Sequence, residues 1–136
     1  MTRRLGGAIQ SLVAVLLLCA GLTAQGIEVK QDGVVLSGSP ANCTQPATIR
    51  YDDARRVTPE WKTIRREGVR KGSARYSLLI SEMNKRIKRL CREIGGDLGK
   101  DCIVREGDVD NDNGLTVADV TDDLVQAIES DTGPTA

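Results

Sequence analysis

The sequence predicts an α+β fold: a small sheet with packed amphipathic helices, a short helical hairpin between two strands, and a C-terminal helix. Three observations carry this expectation. In segment 73–94, Tyr76, Leu79, Ile80, Met83, Ile87, Leu90, Cys91 and Ile94 recur at steps of three and four, so they share one stripe of an α-helix. Two short strand-type runs, 47–51 and 102–104, flank the helical region, and a helical excursion between two strands suits a parallel crossover. Beyond the second run, Val117, Val120, Leu124 and Ile128 mark a further amphipathic helix.

In order along the chain, Arg3 and Arg4 precede an apolar run over 12–20, and Ala24 offers a small residue for cleavage. A charged region, a short apolar region and a small-residue site make 1–24 a secretory signal peptide. The run is short for a membrane span. The protein is therefore expected to be exported, to the periplasm or outside the cell. Segment 25–46 reads as an N-terminal segment and linker. Ile27 and Val29 alternate with Glu28, Asp32-Gly33 signals a turn, and Val34, Val35 and Leu36 are apolar, so a short hairpin is expected. The Ser, Gly, Pro and Asn residues of 37–42 read as linker.

The domain proper is placed at 47–130. In its first strand Ile49 and Tyr51 share one face, Thr48 and Arg50 the other. Residues 52–57 suit one helical turn. Thr58-Pro59-Glu60 then starts a helix, with Thr58 as N-cap and Pro59 at the first helical position. Val57, Trp61 and Ile64 give it a short apolar stripe. Gly68 and Gly72 bracket Val69, Arg70 and Lys71, where the helix breaks or turns back as a hairpin. Gly95 and Gly96 read as the stop of the organising helix, and 95–101 as a loop. Residues 131–136 form a frayed tail.

Composition limits the core. There is no Phe, one Trp and two Tyr, and a domain this small buries a limited fraction of its surface, so oligomerisation or a bound metal would support it. The formal charge is zero, but it is unevenly spread. Residues 50–92 hold fourteen Lys/Arg against five Asp/Glu, and residues 93–136 hold two against twelve. Either the halves neutralise one another across the fold, or a basic surface awaits an anionic partner. Beyond the leader lie Cys43, Cys91 and Cys102. Cys91 and Cys102 flank the Gly95-Gly96 turn and can meet if the chain doubles back, which leaves Cys43 free or intermolecular. With no His and no C-x-x-C, a zinc site is not expected.

Several pieces in order resemble the Skp/OmpH family of periplasmic chaperones. They are the strand running into Asp52, the Thr58-Pro59-Glu60 helix start, the basic helix over 87–94, the strand after a Gly/Asp loop at 101–104, and the closing helix over 119–128. The resemblance covers roughly 47–129. It implies a homotrimer built from small sheet-containing bodies, which binds unfolded or outer-membrane proteins. The interval between Thr58 and Ile94 is too short for the family's long helical arms, so the resemblance is to the body alone. The expected partner-binding surface is the basic helix face: Lys62, Arg65, Arg66, Lys85, Arg86, Lys88, Arg89 and Arg92. Its partners would be unfolded or membrane-associated proteins or an anionic membrane surface.

A second signal lies in 108–119. Asp108, Asp110, Asp112, Gly114, Thr116 and Asp119 follow the spacing by which carboxylates at the first, third, fifth and twelfth places converge on calcium, with a backbone carbonyl at the seventh. Leu115 stands at the eighth place as an apolar anchor. The loop resembles a single EF-hand or dockerin repeat, with Asn113 where the glycine is usual and Asp119 where a bidentate Glu is usual. This makes a calcium-dependent cell-surface interaction module the alternative to the chaperone-like reading; otherwise the loop is a solvated acidic turn whose Asp119 or Thr121 caps the last helix.

Enzyme classes fit poorly. The commonest general base is missing with His, and neither a nucleophile elbow nor a phosphate-binding glycine loop occurs. Paired-carboxylate hydrolysis lacks an aromatic sugar platform. An exported protein rarely meets nucleic acid. The chain is expected to be a non-enzymatic binding protein with no required cofactor, calcium apart.

Overall fold

The computed structural model describes residues 25–133. The expected signal peptide and the last three residues lie outside the described residues. Among the described residues, no helix is long and apolar enough to cross a membrane.

The architecture is α+β. Strands β1 (Glu28–Val29) and β2 (Val35–Gly38) and a 3-10 turn (Pro40–Asn42) precede β3 (Pro46–Ile49). Three helices follow: α1 (Tyr51–Val57), α2 (Pro59–Glu67) and α3 (Ala74–Leu98). The chain then forms β4 (Cys102–Arg105), β5 (Val109–Asn111), β6 (Ala118–Asp119) and α4 (Thr121–Ser130). The main sheet has the order β2-β4-β3-β6. Strands β3 and β4 pair in parallel, with Ala47 opposite Ile103, as expected of a helical crossover.

Side-chain alternation along β4 sorts the core into two layers. Ile103 faces the helices, among Ile49, Ala54, Met83, Ile87, Leu90, Leu124 and Ile128. Cys102 and Val104 face the other way, onto Ile27 and Cys43, with Val29, Val35, Val109 and Leu115 around them. Strand β4 is therefore buried on both faces, which explains its unbroken apolar run.

The N-terminal segment does not form a hairpin. Strand β1 pairs with β5 and β2 pairs with β4, so the two strands join different sheets. The turn is closed by the Gly33 amide donating to the Lys30 carbonyl at 2.8 Å, but the strands on either side of it do not pair with each other. The segment read as a linker is also structural: Cys43 is bonded to Cys102 across a Cα–Cα distance of 5.8 Å. The Asp101 carboxylate reinforces that junction by accepting from the Thr44 and Gln45 amides at 2.8 and 2.7 Å. Cys91 is the free, buried cysteine. Its side chain lies on the helix-facing side of the sheet, so doubling back at the glycines does not bring it to Cys102. Burial pushes the Cys91 thiol up to about 12.

Local chemistry sets the helix ends. The Thr58 hydroxyl accepts from the Trp61 amide and Pro59 takes the first helical position, as the sequence predicts. Gly68, in the left-handed region, ends α2, and the chain turns back as a hairpin. Ser73 caps α3 by accepting from the Tyr76 amide at 3.1 Å. Helix α3 passes through Gly95 and Gly96 and stops at Gly99, also left-handed. Gly95 serves close packing instead: a Cβ there would lie 3.0 Å from the Lys100 carbonyl oxygen. The last helix is shorter than its stripe suggests. Val117 precedes it, and β6 occupies 118–119, pairing in parallel with β3.

Candidate partner-binding surface

The helical hairpin of α2 and α3 carries all eight expected partner-binding cations, but their situations differ. Arg86 is only 5% exposed. Its Nε and Nη2 donate to Glu60 Oε1 at 3.0 and 2.9 Å, and Nη1 meets Asp131. Glu60 is itself 1% exposed, so this is a buried ion pair joining α2 to α3. Arg86 is therefore an internal strut and not part of a partner surface. The signal was present: Met83, Arg86 and Leu90 are three and seven apart, so Arg86 lies on the buried stripe.

Arg89 is half-buried and donates to Asp131 at 2.7 Å and to Glu93 at 3.2 Å. Burial pushes the Asp131 carboxyl up, but hydrogen bonds from Arg89, the Gly133 amide and Arg86 outweigh it and hold the group below the usual aspartate value. Lys85 bonds Glu82 at 3.0 Å, and Arg66 lies 3.6 Å from Glu67. Lys62, Arg65, Lys88 and Arg92 are exposed and have no acidic partner among the described residues. Arg70 and Lys71, at the exposed hairpin tip, extend this charge. Leu78, in the first turns of α3, is 54% exposed.

Two depressions flank the hairpin. Arg56 at the end of α1 and Trp61, Lys62, Arg65 and Arg66 on α2 line a strongly basic hollow. The Arg55 guanidinium stacks on the Trp61 ring, 4.3 Å from its centroid, and fixes the indole. On α3, Tyr76, Ile80, Asn84, Lys85 and Lys88 line a shallow groove. The groove continues through Asn84 and Lys88 into a cavity of about 270 Å³ bounded also by Val34, Leu36, Tyr51 and Arg105. The Tyr51 hydroxyl donates to Asn84 Oδ1 at the junction.

The acidic loop is arranged differently from a closed cation cage. Asp108 is buried; it accepts from the Val34 amide and from Arg105 Nε, each at 2.8 Å. Burial raises its carboxyl, and those donors more than reverse the effect. Asp119 pairs with Arg50 and accepts from the Thr121 amide at 2.9 Å. The Thr121 hydroxyl and amide together with Arg50 hold Asp119 below its usual range. Asp110, Asp112 and Thr116 are exposed. Asn113 and Gly114 both have positive φ, 51° and 80°, which gives the loop its tight turn. Among the described residues, the one group of three acidic or thiol side chains with ligand atoms within 4.8 Å is Cys43, Asp101 and Cys102, two of them joined as a disulfide.

In comparisons with known proteins, no family model, no curated protein and no solved structure matches the chain. The fold and side chains alone therefore define its class: a small α+β protein with a basic helical hairpin.

Proposed function

We propose that this is an exported, non-enzymatic binding protein with a Skp/OmpH-like body, which engages unfolded or membrane-associated proteins through the basic hairpin. The observation that carries the reading is the set of exposed cations without an acidic partner among the described residues: Lys62 and Arg65 beside Trp61, Lys88 beside Tyr76 and Ile80, and Arg92 further along α3. Unfolded chains present acidic and apolar groups together, and such a surface offers both long-range attraction and contact area. The strand–helical hairpin–strand–helix order supports the family likeness. Homotrimer formation belongs to the same proposal and is read by native mass spectrometry.

The test is light scattering of an outer-membrane β-barrel protein diluted from urea. The chain should suppress aggregation, and suppression should weaken with rising salt because exposed charges are screened. Absence of suppression at low salt would count against the reading.

The calcium-dependent module is the second reading, favoured by the left-handed Asn113 and Gly114. Calcium would have to displace Arg105 from Asp108 and Arg50 from Asp119. A melting temperature unchanged by millimolar calcium would remove it.

A further inference from the structure

We propose that the cavity between β2 and α3 binds a single-chain carboxylate, the anion of a medium-chain fatty acid, with its tail inside and its head on Lys88 and Asn84. This goes beyond the protein-binding reading and does not depend on it: the ligand is a small amphiphile and the site is one cavity.

Val34, Leu36 and the Tyr51 ring give the cavity apolar walls, and Asn84, Lys88 and Arg105 supply its polar groups. Small-molecule sites have this make-up, an apolar lining with a few placed polar groups. The volume of about 270 Å³ lies just below the roughly 300–1,000 Å³ of drug-sized ligand sites, which suits a smaller ligand. The cavity opens through Asn84 and Lys88 onto the groove along α3. Among the described residues, no Asp or Glu lines either the cavity or the groove. The site is therefore complementary to an anion and not to a cation.

The polar groups differ in what they are free to bind. The Arg105 guanidinium is taken by Asp108, its Nε at 2.8 Å. Lys88 is exposed and has no acidic partner among the described residues. Asn84 lies one turn before Lys88 on α3, so the two side chains are neighbours on one face. The Tyr51 hydroxyl donates to Asn84 Oδ1. That bond leaves the Asn84 amino group to donate to a ligand. An ammonium and an amide N–H side by side match the two oxygens of one carboxylate. The single free cation at the mouth matches a singly charged head. Behind the head, an apolar tail leaves water for the walls formed by Val34, Leu36 and Tyr51.

The test is isothermal titration calorimetry of the full chain with sodium octanoate, which should bind at a single saturable site. Butanoate should bind about tenfold or more weakly, because its shorter tail buries less surface. Octylammonium, with the same tail and the opposite charge, should also bind about tenfold or more weakly. Lys88→Glu, an exposed change, should weaken octanoate about tenfold and make octylammonium the tighter ligand. Lys62→Glu/Arg65→Glu should change octanoate binding less than about twofold, since those residues lie outside the cavity. Octanoate should also shift the amide NMR resonances of Val34, Leu36, Asn84 and Lys88. Equal binding of octylammonium overturns the anionic head, and equal binding of butanoate overturns the buried tail. Loss in Lys62→Glu/Arg65→Glu with none in Lys88→Glu overturns the site. No saturable binding of octanoate at millimolar concentration overturns the inference and leaves the protein-binding reading standing, since aggregation suppression tests that separately.

Discussion

The two faces of the sheet are held by different means. On the helix side, Ile49, Met83, Ile87, Ile103 and Leu124 are essentially fully buried and pack as a continuous core. On the other side a smaller cluster of Ile27, Cys43, Cys102 and Val104 lies beneath β1, β5 and the N-terminal segment. The first side has apolar area enough to order its elements. The second is smaller and is reinforced by a disulfide and the Asp101 clamp. Covalent closure supplements burial where the apolar cluster is small and has no aromatic side chain.

Perturbations should separate the two sides. On the helix side, Glu60→Ala leaves buried Arg86 with Asp131 as its carboxylate partner, and should cost about 2 to 3 kcal/mol, read as a lower urea midpoint. On the opposite side, Cys43→Ser/Cys102→Ser opens a loop of sequence separation 59 and should cost about 4 kcal/mol. If hydrogen exchange then rises at β1 and β2 and not in α3, the division holds; uniform loss would merge the two sides. A smaller change, Thr58→Ala, removes a buried cap and should cost about 1 kcal/mol.

Acid tests the carboxylates of both sides. Asp101, Asp108, Asp119 and Asp131 all sit below their ordinary value of 3.8. A lowered folded pKa means the unfolded chain binds more protons, so this stabilisation is complete above that ordinary value and fades as pH falls through the lowered ones. Asp131→Asn should flatten the fall in melting temperature below about pH 4. The mildest probe is chemical: native Cys91 should resist alkylation at pH 8, because its thiol remains protonated and buried. Rapid labelling without unfolding would show that the helix-side core opens readily.

Features written in local chemistry were readable from the sequence. Thr58-Pro59 starts α2, the 73–94 stripe marks the buried face of α3, and 102–104 forms the strand parallel to β3. Features decided by distant partners were not. Gly95 looks like a stop, but the Lys100 carbonyl approaching it makes it a packing residue. Cys43 finds Cys102 because β2 and β3, which precede and follow it in the chain, both pair with β4 beside Cys102. Among the candidate site residues, Lys62, Arg65, Lys88 and Arg92 are exposed. Arg86 is not: its spacing from Met83 and Leu90 already places it on the buried stripe, but its partner Glu60, 26 residues earlier, is fixed only by the fold.

The central claim is that the uncompensated hairpin cations bind unfolded protein. Its most direct test is aggregation suppression by the triple variant Lys62→Glu/Arg65→Glu/Lys88→Glu, all exposed positions whose reversal leaves the buried Arg86–Glu60 pair in place. The account predicts an unchanged melting temperature within a few degrees and loss of most of the suppression. A variant that folds and still protects its client as well as the parent would contradict it.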